Sequence, residues 1–145
     1  MTSACFPRFL KTSTVVLCIG AALEANAERF DEHDLLGDYA FSFDGSAAGV
    51  PVAAVGRFFA DGKGNLLNGS RTLVVGGASL QQSFTCTYVV QADGRGSADC
   101  QVVGSNPESF SFVVLHHGRE TYFVGTTPGV VVRGNAVRQS RDHRG

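Results

Sequence analysis

Apolar and polar residues alternate along most of the chain from residue 38 to residue 138, and almost nowhere recur at the three-to-four spacing of an amphipathic helix. Tyr39, Phe41 and Phe43 alternate with Asp38, Ala40 and Ser42, which predicts a half-buried strand over 38–43. The same reading predicts strands over 52–60, 65–75, 80–90, 97–103, 110–114, 121–127 and 130–138. Between them lie turn signals: a glycine and alanine loop at 44–49, Asp61-Gly62-Lys63-Gly64, Gly76-Gly77, Asp93-Gly94-Arg95-Gly96, a loop at 104–108 with Pro107, Gly118-Arg119 and Pro128-Gly129. No segment has the length or period of a crossover helix, so the strands are expected to be antiparallel. Short connections pair neighbours in sequence. Eight such strands close most simply into an up-and-down β-barrel, which removes the exposed edges; a two-sheet β-sandwich is the alternative.

The first 27 residues read differently. Arg8 and Lys11 precede an uncharged apolar run over 12–23, and Ala25-Asn26-Ala27 is a small-x-small cleavage site. That order is the pattern of a secretory signal peptide. The run falls short of the roughly 20 apolar residues that span a bilayer. Leu17 stands before Cys18 where a lipid-anchored precursor needs a small residue. The expected organisation is a signal peptide (1–27), a polar lead-in that forms a short helix or a loose arm (28–36), one barrel domain (37–138) and a flexible tail (139–145). The expected location is periplasmic or secreted.

Removal of the signal changes what the composition implies. Ten Arg and Lys remain against twelve Asp and Glu, so no basic face is available for nucleic acid. Cys5 and Cys18 leave, and Cys86 and Cys100 stay. If Tyr88 faces Ala98 across the hairpin turned at Asp93-Gly94, then Val90 faces Gly96 and Cys86 faces Cys100. Directly opposed residues of an antiparallel pair stand within reach of a disulfide, and export places them where such bonds persist. Cys86 shares its strand face with Phe84, Tyr88 and Val90, so the bond is expected on the apolar side.

Candidate chemistry is sparse. Ala60-Asp61-Gly62-Lys63-Gly64-Asn65 and Ala92-Asp93-Gly94-Arg95-Gly96-Ser97 repeat one pattern 32 residues apart. A phosphate cradle would need a helix after the glycines, and a calcium loop more oxygen ligands, so both are read as hairpin turns. The repeat maps Cys86 onto Ala54 and Cys100 onto Asn68, leaving the first hairpin without a staple. His116-His117 is the densest polar cluster, beside Arg119 and Glu120. On a strand these two would point to opposite faces and could not share a metal. No zinc spacing or nucleophile elbow occurs, so no catalytic residue is assigned and no metal or cofactor is expected. Asn68-Gly69-Ser70 is a glycosylation sequon.

Leu36-Gly37-Asp38-Tyr39-Ala40-Phe41-Ser42-Phe43, the two Asp-Gly-basic-Gly turns, the strand through Thr85, Thr87 and Tyr88, and the closing Gly134-Asn135-Ala136-Val137-Arg138-Gln139 together resemble secreted bacterial glycine-rich β-proteins of unassigned function. More distantly the layout is similar to calycin-type barrels, including allene-oxide-cyclase-like barrels. That resemblance implies a barrel able to hold an apolar ligand, with cyclase chemistry in some members; no catalytic residue of such cyclases matches here. Three function classes follow. The first is a binding barrel whose Tyr39, Phe41, Phe43, Phe84, Tyr88, Phe110 and Phe112 either line a pocket for a small apolar ligand or fill the core. The second is a secreted inhibitor or surface interaction protein using the loops at 44–50 or 104–109. The third is a barrel-type cyclase. An outer-membrane barrel needs an outward apolar band, whereas the second faces carry Asp38, Ser42, Arg57, Ser83, Thr85, Thr87 and Ser111; no integral membrane segment is expected after cleavage.

Overall fold

The computed structural model describes residues 28–140, so the expected signal peptide and most of the expected tail lie outside the described residues. The eight strands are β1 (Leu36–Ala47), β2 (Val50–Asp61), β3 (Asn65–Val75), β4 (Ala78–Val90), β5 (Arg95–Val102), β6 (Glu108–Leu115), β7 (Glu120–Gly125) and β8 (Val130–Arg138). Each pairs antiparallel with the next, and β8 pairs with β1, which closes an up-and-down barrel. The barrel, and not the sandwich, is the fold.

Strand alternation decides which side chains face inward. Tyr39, Phe41 and Phe43 of β1 and Phe84, Cys86 and Tyr88 of β4 are buried, while Ser42, Ser83, Thr85 and Thr87 between them are exposed. Several predicted boundaries shift; Thr126 and Thr127, for example, fall outside β7. The predicted loop at 44–49 is mostly strand: β1 runs to Ala47, because Gly45, Ser46 and Ala47 keep their pairing with Val52, Pro51 and Val50, and the turn shrinks to Ala48-Gly49. Glu108 and Ser109, predicted in a loop, open β6.

One irregularity matters for the interior. β3 carries one extra residue against both neighbours, between Leu66 and Gly69, with Asn68 in the left-handed region at φ 51°. A bulge of this kind flips which side chains face in. Leu66 faces the interior before it, and Gly69 and Arg71 after it.

The two ends differ. The end holding the 61–64, 91–94 and 116–119 connections is closed by the lead-in, which is neither loose nor a regular helix. It makes a single 3-10 turn, Glu32–Asp34, capped by reciprocal bonds between Asp31 and Asp34. The Tyr88 hydroxyl donates to the Glu32 and Leu35 carbonyls at 3.0 and 3.1 Å, the Glu32 carboxylate accepts from the Val90 amide at 3.0 Å, and Arg138 donates to the Asp34 carbonyl at 2.9 Å. Leu35 is thereby pressed into the barrel as a stopper, buried in the core cluster.

Candidate functional site: an aromatic cavity with a buried arginine

Nine Phe and three Tyr remain after residue 27, and most of them meet inside the barrel. The way they sit determines whether the interior is filled. Four inward-facing glycines each stand directly opposite a phenylalanine on the paired strand: Gly56 and Phe41, Gly69 and Phe84, Gly96 and Phe112, Gly134 and Phe123. A Cβ placed on these glycines would lie 2.8, 2.4, 2.3 and 2.7 Å from atoms of those rings. Each ring therefore lies over its glycine, along the barrel wall, and does not project straight toward the axis. The missing side chains of the glycines are the room the rings use.

A cavity of about 90 Å³ remains at the centre. That is several times the ~10–15 Å³ that a single water occupies in such a measure. All seven aromatics named from the sequence line it: Tyr39, Phe41, Phe43, Phe84, Tyr88, Phe110 and Phe112. So do Phe58 and Phe123, which the sequence reading left out. Some rings meet edge to face and others stack: Phe41 meets Phe84 at 5.8 Å and Phe123 at 6.5 Å between centroids, both T-shaped, while Tyr39 stacks on Phe58 at 5.3 Å. Among the described residues, Tyr39 alone of the large side chains falls below 2 % exposure, and Phe58, Phe110, Phe112 and Phe123 are only partly buried although they point inward. Phe112 and Phe123 also border a hollow on the outer surface beside Gly96 and Gly134.

Cys86 and Cys100 face one another on the cavity wall with Cα atoms 4.0 Å apart and are joined by a disulfide. The register is the one the sequence predicts, with Tyr88 opposite Ala98 and Val90 opposite Gly96. The mapped pair Ala54 and Asn68 is not partnered: Ala54 faces Leu73, because the first hairpin sets Ala60 opposite Leu66 where the repeat would set Phe58 opposite Gly64, and the bulge in β3 adds one residue more.

The polar groups of the cavity lie at its two ends. At the plugged end, the Tyr39 hydroxyl donates to the Gly118 carbonyl and accepts from Arg138 at 3.1 and 3.3 Å. Burial raises the Tyr39 phenol above its ordinary pKa, with Arg138 pulling the other way. Burial pushes Tyr88 up to about 12. Both phenols are thus neutral hydrogen-bonding anchors at pH 7.

At the opposite end stands Arg71, whose side chain is 4 % exposed. Its Nη1 and Nη2 donate to the two Glu108 carboxylate oxygens at 2.8 and 2.7 Å, and its Nε and Nη2 donate to Gln82 Oε1 at 2.9 and 2.7 Å. The guanidinium lies over the Phe43 ring at 5.7 Å. Arg71 and Glu108 were not singled out from the sequence. A signal existed: counting back by twos from the apolar Val75 and Leu73 lands on Arg71.

The other sequence candidates stay apart from the cavity. His116 and His117 are not on a strand; they form a second 3-10 turn, His116–Gly118, with φ of 50° and 55°. The strand argument about their faces therefore does not apply. Both are exposed, and His117 pairs with Glu28 at 2.8 Å on the outside. No group of three or more His, Cys, Asp and Glu placed to hold a metal occurs among the described residues. The repeated turns are hairpin turns, as read. Asp61 accepts from the Lys63 and Asn65 amides and from the Asn65 side chain, and Asp93 accepts from the Arg95 amide and guanidinium. These donors hold both carboxyls below the usual carboxylate range, and they occupy the oxygens a cation would use.

No protein-family model, curated protein or solved structure matches this chain.

Proposed function

We propose that the protein is an exported binding barrel that holds one small apolar ligand in its central cavity. One observation carries this reading: the wall is paved by phenylalanine rings lying over glycines, which leaves an apolar space where a small barrel is ordinarily filled by side chains. Apolar cavities of this kind stay dry and take up small hydrocarbons. The disulfide agrees with the signal-like N-terminus in favouring an oxidising, periplasmic or extracellular location. The lead-in seals one end through Leu35 and Tyr88, so exchange would proceed at the end with the 48–49, 76–77, 103–107 and 126–129 connections.

The test is a native mass spectrum of the protein purified from an exporting host. The expected result is a retained apolar adduct that organic extraction removes and that the cavity-filling variant Ala98→Phe does not carry. An adduct held equally by Ala98→Phe would overturn the reading.

A further inference from the structure

The proposed ligand acquires a chemical class from Arg71. An apolar cavity needs no arginine, and a buried ion pair is often no more stabilising than hydrophobic residues of the same volume. Yet the chain turns Arg71 inward by a specific device. Without the extra residue between Leu66 and Gly69, the alternation that points Leu66 into the barrel would point residue 71 at solvent.

The two partners of Arg71 are held unequally. Gln82 takes one edge of the guanidinium from the adjacent strand, and Phe43 covers its face. Gln82 takes Nε and one N–H of Nη2, which leaves the second N–H of Nη2 and an N–H of Nη1 as the outer fork. That fork is matched to a carboxylate, which can accept two parallel bonds, and Glu108 supplies one. Glu108 is the first residue of β6, follows the exposed 103–107 loop, and keeps a quarter of its side chain exposed while Arg71 keeps almost none. Glu108 has a path to water and Arg71 has none.

We infer that the cavity takes a small amphiphile whose carboxylate replaces Glu108 on the outer fork of Arg71 while its hydrocarbon part lies among the phenylalanine rings. This rests on the binding-barrel reading and narrows it. The exchange conserves charge at the buried site: one carboxylate leaves the guanidinium for solvent and another takes its place, so Arg71 is never buried unpaired. Gln82 and Phe43 hold the guanidinium in position throughout. An uncharged ligand of the same length gains the cavity wall and nothing from Arg71.

The experiment is calorimetric titration of the full disulfide-bonded protein with octanoate and, separately, with octan-1-ol. Octanoate is expected to bind at least tenfold more tightly. Arg71→Met, which leaves Glu108 free to turn to water, is expected to remove the preference, so that octanoate and octan-1-ol bind the variant alike. Glu108→Gln removes the competing charge and is expected to tighten octanoate several-fold, so the proposal stays testable if Arg71→Met does not fold. Equal affinity of the wild-type protein for the two ligands, a preference for octanoate that survives Arg71→Met, or octanoate weakened by Glu108→Gln would each overturn the carboxylate assignment. Octan-1-ol binding alone would leave the apolar-cavity reading standing, and binding of neither would overturn both.

Discussion

Gly96 and Phe112 face each other across β5 and β6, and the Phe112 ring occupies the space a Gly96 side chain would need, 2.3 Å from the Cβ position. The Val89 carbonyl oxygen lies 2.6 Å from the same point on the other side. A methyl group there must displace both a ring and a strand backbone. Gly96→Ala is therefore expected to destabilise the fold by about 1–3 kcal/mol, the ordinary cost of overpacking. Chemical denaturation checks it; a loss under about 0.5 kcal/mol, typical of surface changes, would show that the ring does not rest on the glycine.

The disulfide gives a second prediction. Cys86 and Cys100 are 14 residues apart in sequence, and closing a loop of that size is worth at most about 3 kcal/mol in the chain-entropy model. The hairpin register already brings the two together, and the topology does not depend on the bond. Replacing both cysteines with alanine is expected to lower the melting temperature and keep the β-type circular dichroism. Loss of the β spectrum would contradict this.

The register that joins the cysteines was legible because one turn and one face of alternation fix it: once Tyr88 faces Ala98, Cys86 must face Cys100. The seven aromatics were legible for the same reason. Arg71 carried two opposed signals, inward when counted back from Val75 and Leu73 and outward when counted on from Leu66, and nothing local announces the extra residue that decides between them until the neighbouring strands are paired. The lead-in was hidden because its apolar residues, Phe30, Leu35 and Leu36, set no period, and the burial of Leu35 depends on Tyr88 and Arg138, which are distant in sequence. The 3-10 turn at the histidines was hidden because their left-handed backbone, next to Gly118, leaves no mark on the hydrophobic pattern.

Tyr88 makes stability sensitive to high pH. Its phenol rises to about 12 in the folded protein from an ordinary value of about 10. The folded state favours the neutral form, so this contribution is complete below about pH 10 and is lost as pH rises through the folded value. The denaturation midpoint is expected to fall between pH 9.5 and 11.5. Tyr88→Phe is expected to start about 1–2 kcal/mol lower, from the lost bonds to Glu32 and Leu35, and to show a shallower fall. The Tyr39 phenol, raised in the same direction, keeps that slope from vanishing. Identical slopes in the two proteins would contradict the assignment.

The repeated turns govern the acid side. Asp61 is held below the usual carboxylate range, chiefly by the Asn65 side chain, and Asp93 by the Arg95 amide. A depressed carboxyl contributes stability above its unfolded value and loses it as pH falls through the folded one. Between pH 5 and pH 2.5 the wild-type protein is expected to lose more stability than Asp61→Ala, measured as the urea midpoint at each pH. A larger loss in the variant would reverse the sign and refute the account of the turn.

The central claim is that the interior is an apolar binding space, and a benzene titration followed by methyl-region carbon–proton NMR tests it most directly. The Ala98, Val102 and Ala136 methyls line the cavity, whereas Val113, Val124 and Val131 lie outside and exposed. Saturable shifts of the first three, with the outer valines unmoved, are the predicted result. No shift at the inner methyls, or shifts confined to Val113, Val124 and Val131, would contradict it.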